Sequence, residues 1–372
     1  MTGEMSDPMI IYQGASDQRM QAGQFAYLMD GAYPLSAALT FSKSGVTYVP
    51  YGNARPVLQP SVSNITITGD DITITGVEIG GVNTNRVSAQ AGSFPTDIDF
   101  NRLIITGKRV TLAGWIIHDI TELNIDHTAH SVTLRDCIVY NMSWYSLVDG
   151  WHGHQYYTQD DGGGAMQIIN CIFAQSGAYG VHFYAVNGNL LGLHITNLIQ
   201  FNPKFAIGGE ANAPVDDIVM TDSVLWNPSA RIGRNSTNCG SLTLTGNYYG
   251  LQGPIISPAW QHVTDIGNVT ASDGANVIKV FPCTTANKVA HIAVMNWEQL
   301  DTVEATIDGL TVGATYRLRQ AYNPMGDVSE FEYRGGTVPL SFMDRTVAIP
   351  VGFDTALATL DKRFGAWQLE AA

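Results

Sequence analysis

A strand-like motif recurs along the chain and restricts the fold more than any other feature. Its copies read ITITGVEI from Ile72, VTLAGWII from Val110, VTLRDCIV from Val132, MQIINCIF from Met166, LGLHITNL from Leu191, IVMTDSVL from Ile218 and LTLTGNYY from Leu242. The first and third residues are apolar and the fifth is usually Gly, Asp or Asn, although Thr196 departs from this pattern. Because Gly, Asp and Asn tolerate the left-handed backbone region, each copy predicts a strand, a sharp corner and a second strand. Strand units that repeat at about 22 to 27 residues are typical of a β-solenoid.

The composition agrees with a solenoid and argues against two classes of function. Only 14% of the residues are charged, and glycine is frequent, with 38 residues. The net charge is −14 and only 19 residues are Lys or Arg, whereas a general nucleic-acid-binding protein needs a basic surface. No apolar run approaches the ~18 residues that a membrane span needs, so we expect no membrane insertion. A polyanionic sugar is compatible with this charge only if a local group of arginines binds it.

The N-terminal residues lack the pattern of a secretory signal. Residues 1–23 are polar and mixed, without a basic start or an apolar core. The alternatives are a cytoplasmic protein, a virion part released by lysis and a protein expressed without its leader, and we expect an extracellular or virion-associated location.

Two motifs before the repeats are similar to the start of a known fold. Residues 30–33 read DGAY, and residues 50–58 read PYGNARPVL. They resemble the first turn and strand of right-handed parallel β-helix proteins of the pectate-lyase-like superfamily. The resemblance covers roughly residues 25–270. It implies an all-β protein with an N-terminal entry or capping segment at 1–60 and a right-handed parallel β-helix at 61–272.

The last hundred residues have a different pattern. Segments such as AHIAVMNW at 290–297 and TYRLR at 315–319 alternate in polarity and are separated by Gly and Asn turns. They resemble the small β-sandwich that follows catalytic domains of bacterial carbohydrate-active enzymes. We therefore expect a C-terminal β-sandwich at 273–372. It is interpreted either as a cap over the last coil or as a separate sugar-binding module.

A second set of strands, between the repeats, predicts an outward surface of polar side chains. Side chains alternate across a strand, so the neighbours of inward residues lie outside. The predicted inward residues are Ile125, Tyr156, Val181, Phe183, Ile207 and Ile232. The predicted outward residues are Asn124, Asp126, Tyr157, Gln159, His182, Tyr184, Gly208, Glu210 and Arg231. The longest interval between repeats carries an insertion at 144–164, which we expect to form a loop on the binding face. Its sequence HGHQYYTQDDGGG, with the later YGVHFY, resembles paired motifs in a group of right-handed β-helix proteins.

These residue types suit a carbohydrate site. Tyr and Trp pack on the apolar faces of sugar rings, and Arg pairs with a uronate carboxylate. The candidate catalytic residues are Tyr157, His182, Tyr184, Glu210 and Arg231. The candidate substrate-binding residues are Asp126, Trp144, Trp151, His152, His154, Gln159, Asp160 and Asp161. No spacing defines a metal site, so the cofactor is left open, with Ca²⁺ as the cation considered.

Three functions are compatible with this surface. A polysaccharide lyase needs a base, for which Tyr157, Tyr184 or His182 is suitable. It also needs Arg231 or a metal ion to neutralise the uronate carboxylate. A hydrolase needs two carboxylates about 5 to 9.5 Å apart. Asp126 and Glu210 are three coils apart, or about 14 Å, so a lyase or a hydrolase that uses Asp160 or Asp161 fits better. The alternative is a non-enzymatic phage tailspike or surface-decoration protein that binds glycans or gives only shape, assembled as a homotrimer or on a virion.

Overall fold

The computed structural model describes residues 20–61, 64–82, 101–142, 154–158, 164–185, 189–201, 204–209, 213–226 and 230–372. Within these ranges the regular structure is all β, and no helix is long and apolar enough to cross a membrane. The strands up to residue 271 are β1 (Phe25–Leu28), β2 (Gly31–Leu35), β3 (Leu39–Phe41), β4 (Thr47–Pro50), β5 (Pro56–Pro60), β6 (Ile65–Ile67), β7 (Thr73–Thr75), β8 (Glu78–Gly80), β9 (Arg102–Ile105), β10 (Thr111–Ala113), β11 (Ile116–His118), β12 (Glu122–Ile125), β13 (Thr133–Arg135), β14 (Ile138–Tyr140), β15 (His154–Thr158), β16 (Met166–Ile169), β17 (Ile172–Ala174), β18 (Tyr179–Ala185), β19 (Leu190–Thr196), β20 (Ile199–Phe201), β21 (Lys204–Gly209), β22 (Val215–Thr221), β23 (Val224–Trp226), β24 (Ala230–Arg234), β25 (Cys239–Thr245), β26 (Tyr248–Gly250), β27 (Ile255–Ile256), β28 (Trp260–Ile266) and β29 (Val269–Ala271). They are followed by β30 (Val277–Pro282), β31 (Lys288–Met295), β32 (Thr302–Ala305), β33 (Thr315–Gln320), β34 (Val328–Glu332), β35 (Val338–Ser341) and β36 (Phe364–Ala371).

The first 29 strands form three parallel sheets, and successive coils add one strand to each sheet. Sheet A has the order β1-β4-β7-β10-β13-β16-β19-β22-β25-β28, and sheet B the order β2-β5-β8-β11-β14-β17-β20-β23-β26-β29. Sheet C has the order β27-β24-β21-β18-β15-β12-β9-β6-β3. The predicted parallel β-helix is thereby confirmed. The segment up to residue 60 contributes β1 to β5 to these sheets, so its described part continues the coils.

The core is a stack of apolar rows inside the three sheets. Equivalent inward residues of sheet A, such as Leu112, Leu134, Ile168 and Ile195, pair in register and have 0% exposure. Each such burial contributes about 1.5 to 3 kcal/mol, so the stack stabilises the coil as a unit. Cys137, Cys171 and Cys239 are free and buried, as expected of thiols that pack as small apolar groups.

The corner between sheets A and B depends on a residue with a left-handed backbone. The φ angle is positive at the corner residues Gly76, Gly114, Asp136, Asn170, Asn197, Asp222 and Gly246. The fifth copy of the repeat in the solenoid stack therefore begins at Leu193, which pairs with Met166, and the alignment from Leu191 was wrong. Asn197, with a φ of 56°, takes the corner position, and Thr196 is no exception to the pattern.

The C-terminal strands form the predicted β-sandwich. A five-stranded antiparallel sheet, in the order β30-β31-β36-β33-β34, faces the two-stranded sheet β32-β35. Their shared core includes Ile292, Val303, Leu318, Leu340 and Trp367.

The sandwich packs along the side of the solenoid, and not over the last coil as the cap interpretation required. The other face of its large sheet covers the outer face of sheet B, where Trp226 packs against Trp297 and stacks on Phe364. The sandwich packs there because the short strands of sheet B, such as β14 and β17, are apolar on both faces and need a cover on the outer one. In the last coil, Ile255 and Ile266 stay 66% and 61% exposed.

Candidate functional site

The outer face of sheet C carries the described part of the predicted site. Tyr156, Val181 and Phe183 point into the core, as predicted, and this leaves Tyr157 and His182 on the outside. Tyr157 pairs with His182 across neighbouring coils, and the same row continues through Ala206 to Arg231. Parallel strands about 4.8 Å apart therefore bring side chains that are distant in sequence into one site.

A hydrogen-bonded chain of three residues forms the centre of this face. His154 Nδ1 lies 2.6 Å from Glu122 Oε1, and His154 Nε2 lies 2.9 Å from His182 Nδ1. A carboxylate only accepts, so Nδ1 of His154 carries the proton that it donates to Glu122. In neutral His154 the Nε2 atom is then an acceptor, and His182 donates to it from Nδ1. This order leaves the lone pair of neutral His182 on Nε2.

The His182 Nε2 atom is buried and has no hydrogen-bond partner among the residues that the structure describes. Burial, and then repulsion from a protonated His154 and from Arg234, lowers the pKa of His182 to about 2. The imidazole is therefore neutral at ordinary pH, with an unpartnered Nε2 lone pair and a chain behind it that ends on a carboxylate. When Nε2 takes up a proton, the Nδ1 proton of His182 can pass to His154, which lies beside Glu122.

Three tyrosines surround the two histidines. The ring of Tyr179 stacks on His182 at 4.4 Å, and the ring of Tyr157 stacks on His154 at 4.6 Å. Tyr184 lies 5.2 Å from His182, centroid to centroid, on the next outward position of β18. We define the histidine–tyrosine cluster as Glu122, His154, His182, Tyr157, Tyr179 and Tyr184. It offers aromatic faces and hydroxyl groups around one basic nitrogen.

Two cations lie beside the cluster. Arg234 donates a 2.6 Å hydrogen bond to the Tyr179 hydroxyl, and the Lys204 ammonium lies 5.4 Å from the centroid of the same ring. Arg231, the arginine selected from the sequence, is exposed and lies two coils from His182 in the same row. Arg234 reaches the cluster in place of Arg231 because β24 contains a bulge. Gly233 has a φ of 82° there, and Arg234 pairs with Gly208.

The other predicted residues divide into one with a local role and several that are not described. Asp126 Oδ1 accepts hydrogen bonds from the Thr128 backbone N–H at 3.0 Å and its hydroxyl at 2.8 Å, which forms a local turn. Seven predicted residues lie outside the described ranges: Trp144, Trp151, His152, Gln159, Asp160, Asp161 and Glu210.

Sequence reasoning missed Glu122, Tyr179, Lys204 and Arg234. Glu122 is the first residue of β12 and is only 5% exposed, and this burial of an acidic side chain is visible only in the structure. Tyr179 faces outward beside His182 because a second register shift occurs in β18 between these two residues. In the described ranges no group of three or more His, Cys, Asp and Glu side chains is arranged to hold a metal ion.

The fold and this site define a parallel β-solenoid protein with a histidine–tyrosine cluster on one sheet. No protein-family model matches the chain, and no curated protein matches it in sequence. A PL6 alginate lyase in complex with a trisaccharide is 11% identical, with a TM-score of 0.32, over 69% of this chain and 56% of that chain. Geobacillus virus E2 ORF18 is 12% identical, with a TM-score of 0.37, over 85% and 68% of the two chains.

A third similar structure is the tailspike protein of E. coli bacteriophage HK620 in complex with a pentasaccharide. It is 9% identical, with a TM-score of 0.31, over 94% of this chain and 87% of that chain. The chain thus spans little more than half the length of the alginate lyase structure. At these identities and TM-scores the likenesses carry no argument about function, which rests on the geometry of the cluster.

Proposed function

We propose that the protein binds a uronate-containing polysaccharide on the outer face of sheet C and cleaves it by β-elimination. The observation that carries the proposal is the unpartnered Nε2 atom of His182 at the end of the chain Glu122–His154–His182. A neutral imidazole supported in this way is suited to removing a proton from carbon. Such a substrate places the protein outside the cell or on a virion.

The reaction assigns a role to each part of the cluster. His182 Nε2 takes the proton from the carbon next to the uronate carboxylate, and that electron pair forms the new carbon–carbon double bond. The bond from the neighbouring carbon to the glycosidic oxygen breaks, and the leaving oxygen takes a proton from the Tyr184 hydroxyl. Arg234 and Lys204 stabilise the negative charge that develops on the carboxylate. The bound carboxylate also favours protonated His182, which offsets the low pKa of this residue.

Hydrolysis is less well supported by the described residues. It needs two carboxyl groups that flank the scissile bond. Glu122 is the carboxylate of the cluster, and it is engaged by His154 at 2.6 Å and by Arg102 at 3.5 Å. A group held in this way cannot reach a sugar ring without breaking both contacts.

The proposal is tested on a panel of uronate polymers by the ultraviolet absorbance of the unsaturated product. We expect product from at least one polymer, and a loss of about a hundredfold or more in rate for His182→Ala. His194→Ala is the matched control, because His194 lies on sheet A and pairs with Asp217 at 2.9 Å. Binding without product across the panel would contradict cleavage and leave a glycan-binding protein.

A second candidate function is that of a non-enzymatic component of a virion or of a homotrimer. It is favoured by the uncovered last coil, where Ile255, Val263, Ile266 and Val269 are exposed apolar residues. Buried against a neighbour, such residues would contribute to assembly. Light scattering at several concentrations tests it: a stable trimer supports an assembly role, and a monomer throughout contradicts it.

A further inference from the structure

A cavity of about 580 Å³ lies where the C-terminal sandwich meets the first coils, at the corner between sheets A and B. The loop before β5 and the start of β8 form its solenoid wall, and β33 and the end of β36 form the opposite wall. We call it the junction pocket. It is distinct from the histidine–tyrosine cluster, which lies on sheet C.

Four basic side chains in the junction pocket meet at one carboxylate. Glu370 lies 3.0 Å from Arg55, 2.7 Å from Lys288, 3.4 Å from Arg317 and 2.8 Å from Arg319. The chain has only 19 Lys and Arg residues and a net charge of −14, so this concentration of positive charge is unusual for it.

Other carboxylates balance these charges only in part. Glu78 lines the pocket and attracts Arg55, but it also lies 3.3 Å from His118, and Glu330, which binds Arg317, is 54% exposed. Burial, and then the neighbouring Arg319, lower the pKa of Arg55, as expected where cations crowd together. Buried charges of one sign are costly unless a counter-charge accompanies them.

Arg55 is placed to bind such a counter-charge. Its side chain is 50% exposed, and its Nη2 group donates to Glu370. For its Nε and Nη1 groups no hydrogen-bond partner occurs among the described residues. A guanidinium with free donors on the wall of a cationic cavity is suited to an oxyanion.

We propose that the junction pocket is an oxyanion-binding site. The ligand is a carboxylate, sulfate or phosphate group, carried by a saccharide or present as the free inorganic ion. The volume is within the range of small-molecule sites and accommodates a sugar unit with an acidic group. Because the pocket is built from both domains, a bound anion also stabilises their contact.

Titration calorimetry tests the proposal with sodium sulfate, sodium phosphate and a uronate trisaccharide, each at a constant ionic strength set with sodium chloride. We expect saturable binding that Arg55→Gln weakens by about tenfold or more, the effect of losing one charge-assisted contact. Arg109→Gln is the matched control, since Arg109 is exposed and paired with Asp71 away from the pocket. Binding of an inorganic ion alone identifies a free anion as the ligand, and binding of the trisaccharide alone identifies a saccharide.

A second variant separates an anion site from a purely structural ion-pair network. Glu370→Gln removes the internal counter-charge, so we expect a lower melting temperature and a larger stabilising shift by sulfate than the wild type shows, because the general effect of sulfate is shared by both proteins. Equal affinity of the wild type and Arg55→Gln for every probe would overturn the proposal. An equal sulfate shift in the wild type and Glu370→Gln would overturn it too.

Discussion

At the scale of single residues, the chemistry depends on how a few polar groups are held. His182 lies on β18 and His118 on β11 of the solenoid, yet their pKa values are shifted in opposite directions. His182 faces another histidine and an arginine, whereas His118 lies between Asp119 and Glu78. Alternation along β18 predicted that His182 faces outward, but no pattern in the sequence predicted which atom would face its nitrogen.

Glu122 is a positioning residue for His182, acting through His154. We expect Glu122→Gln to lower kcat by about a hundredfold with little change in KM, because the charge that stabilises protonated His154 is lost. The acidic limb of the pH–rate profile should also move to lower pH, since a neutral amide no longer favours the protonated pair. An unchanged plateau and profile would show that Glu122 only supports the fold.

His118 makes the fold sensitive to alkaline pH. Burial alone would lower its pKa, but hydrogen bonds with Asp119 and Glu78 outweigh burial and raise the pKa to about 9. A raised folded-state pKa gives stability that is complete below the unfolded value of about 6.5 and lost as the pH rises through 9. Urea unfolding should show a loss of about 2 to 3 kcal/mol over this window in the wild type.

The comparison with His118→Gln isolates that loss, because all other titrating groups are shared. This variant should be less stable than the wild type at pH 6 and should lack this part of the decline. His262→Gln, on the exposed strand β28, serves as the control. A His118→Gln protein that declines as steeply as the wild type would contradict the assignment.

At the scale of strands and corners, the sequence was informative wherever a local rule decided the structure. Apolar alternation and corner residues such as Gly114 and Asp136 were recognisable without coordinates. The rule failed at bulges, because an extra residue reverses the direction of every later side chain in that strand. This is why Arg231 was selected from the sequence although Arg234, beyond the bulge at Gly233, reaches Tyr179.

The corner at Asn197 provides a test at this scale. Its φ of 56° disfavours β-branched residues, and its Nδ2 group donates a 2.7 Å hydrogen bond to Asn170 Oδ1. We expect Asn197→Val to lower the free energy of unfolding by about 2 to 4 kcal/mol. Asn197→Gly, which keeps the backbone conformation and loses only the hydrogen bond, should cost about 1 kcal/mol. Equal losses in chemical unfolding would exclude backbone strain as the cause.

At the scale of the whole molecule, the solenoid and the sandwich form one structure through the outer face of sheet B. The indole of Trp297 donates a 2.8 Å hydrogen bond to the Tyr248 hydroxyl, inside an apolar interface built around Trp226 and Phe364. The sequence contained a sign of this interface, since the strands of sheet B are apolar at successive positions. It could not show which partner covers them, because that depends on the shapes of two separate domains.

The proposed role of His182 is to start a β-elimination on the outer face of sheet C, and mass spectrometry of the products from the preferred uronate polymer can detect this reaction. We expect oligosaccharides whose new non-reducing end is one water molecule lighter than a hydrolysis product, formed by the wild type and not by His182→Ala. Products of full hydrolytic mass, or unsaturated products formed equally well by His182→Ala, would contradict it.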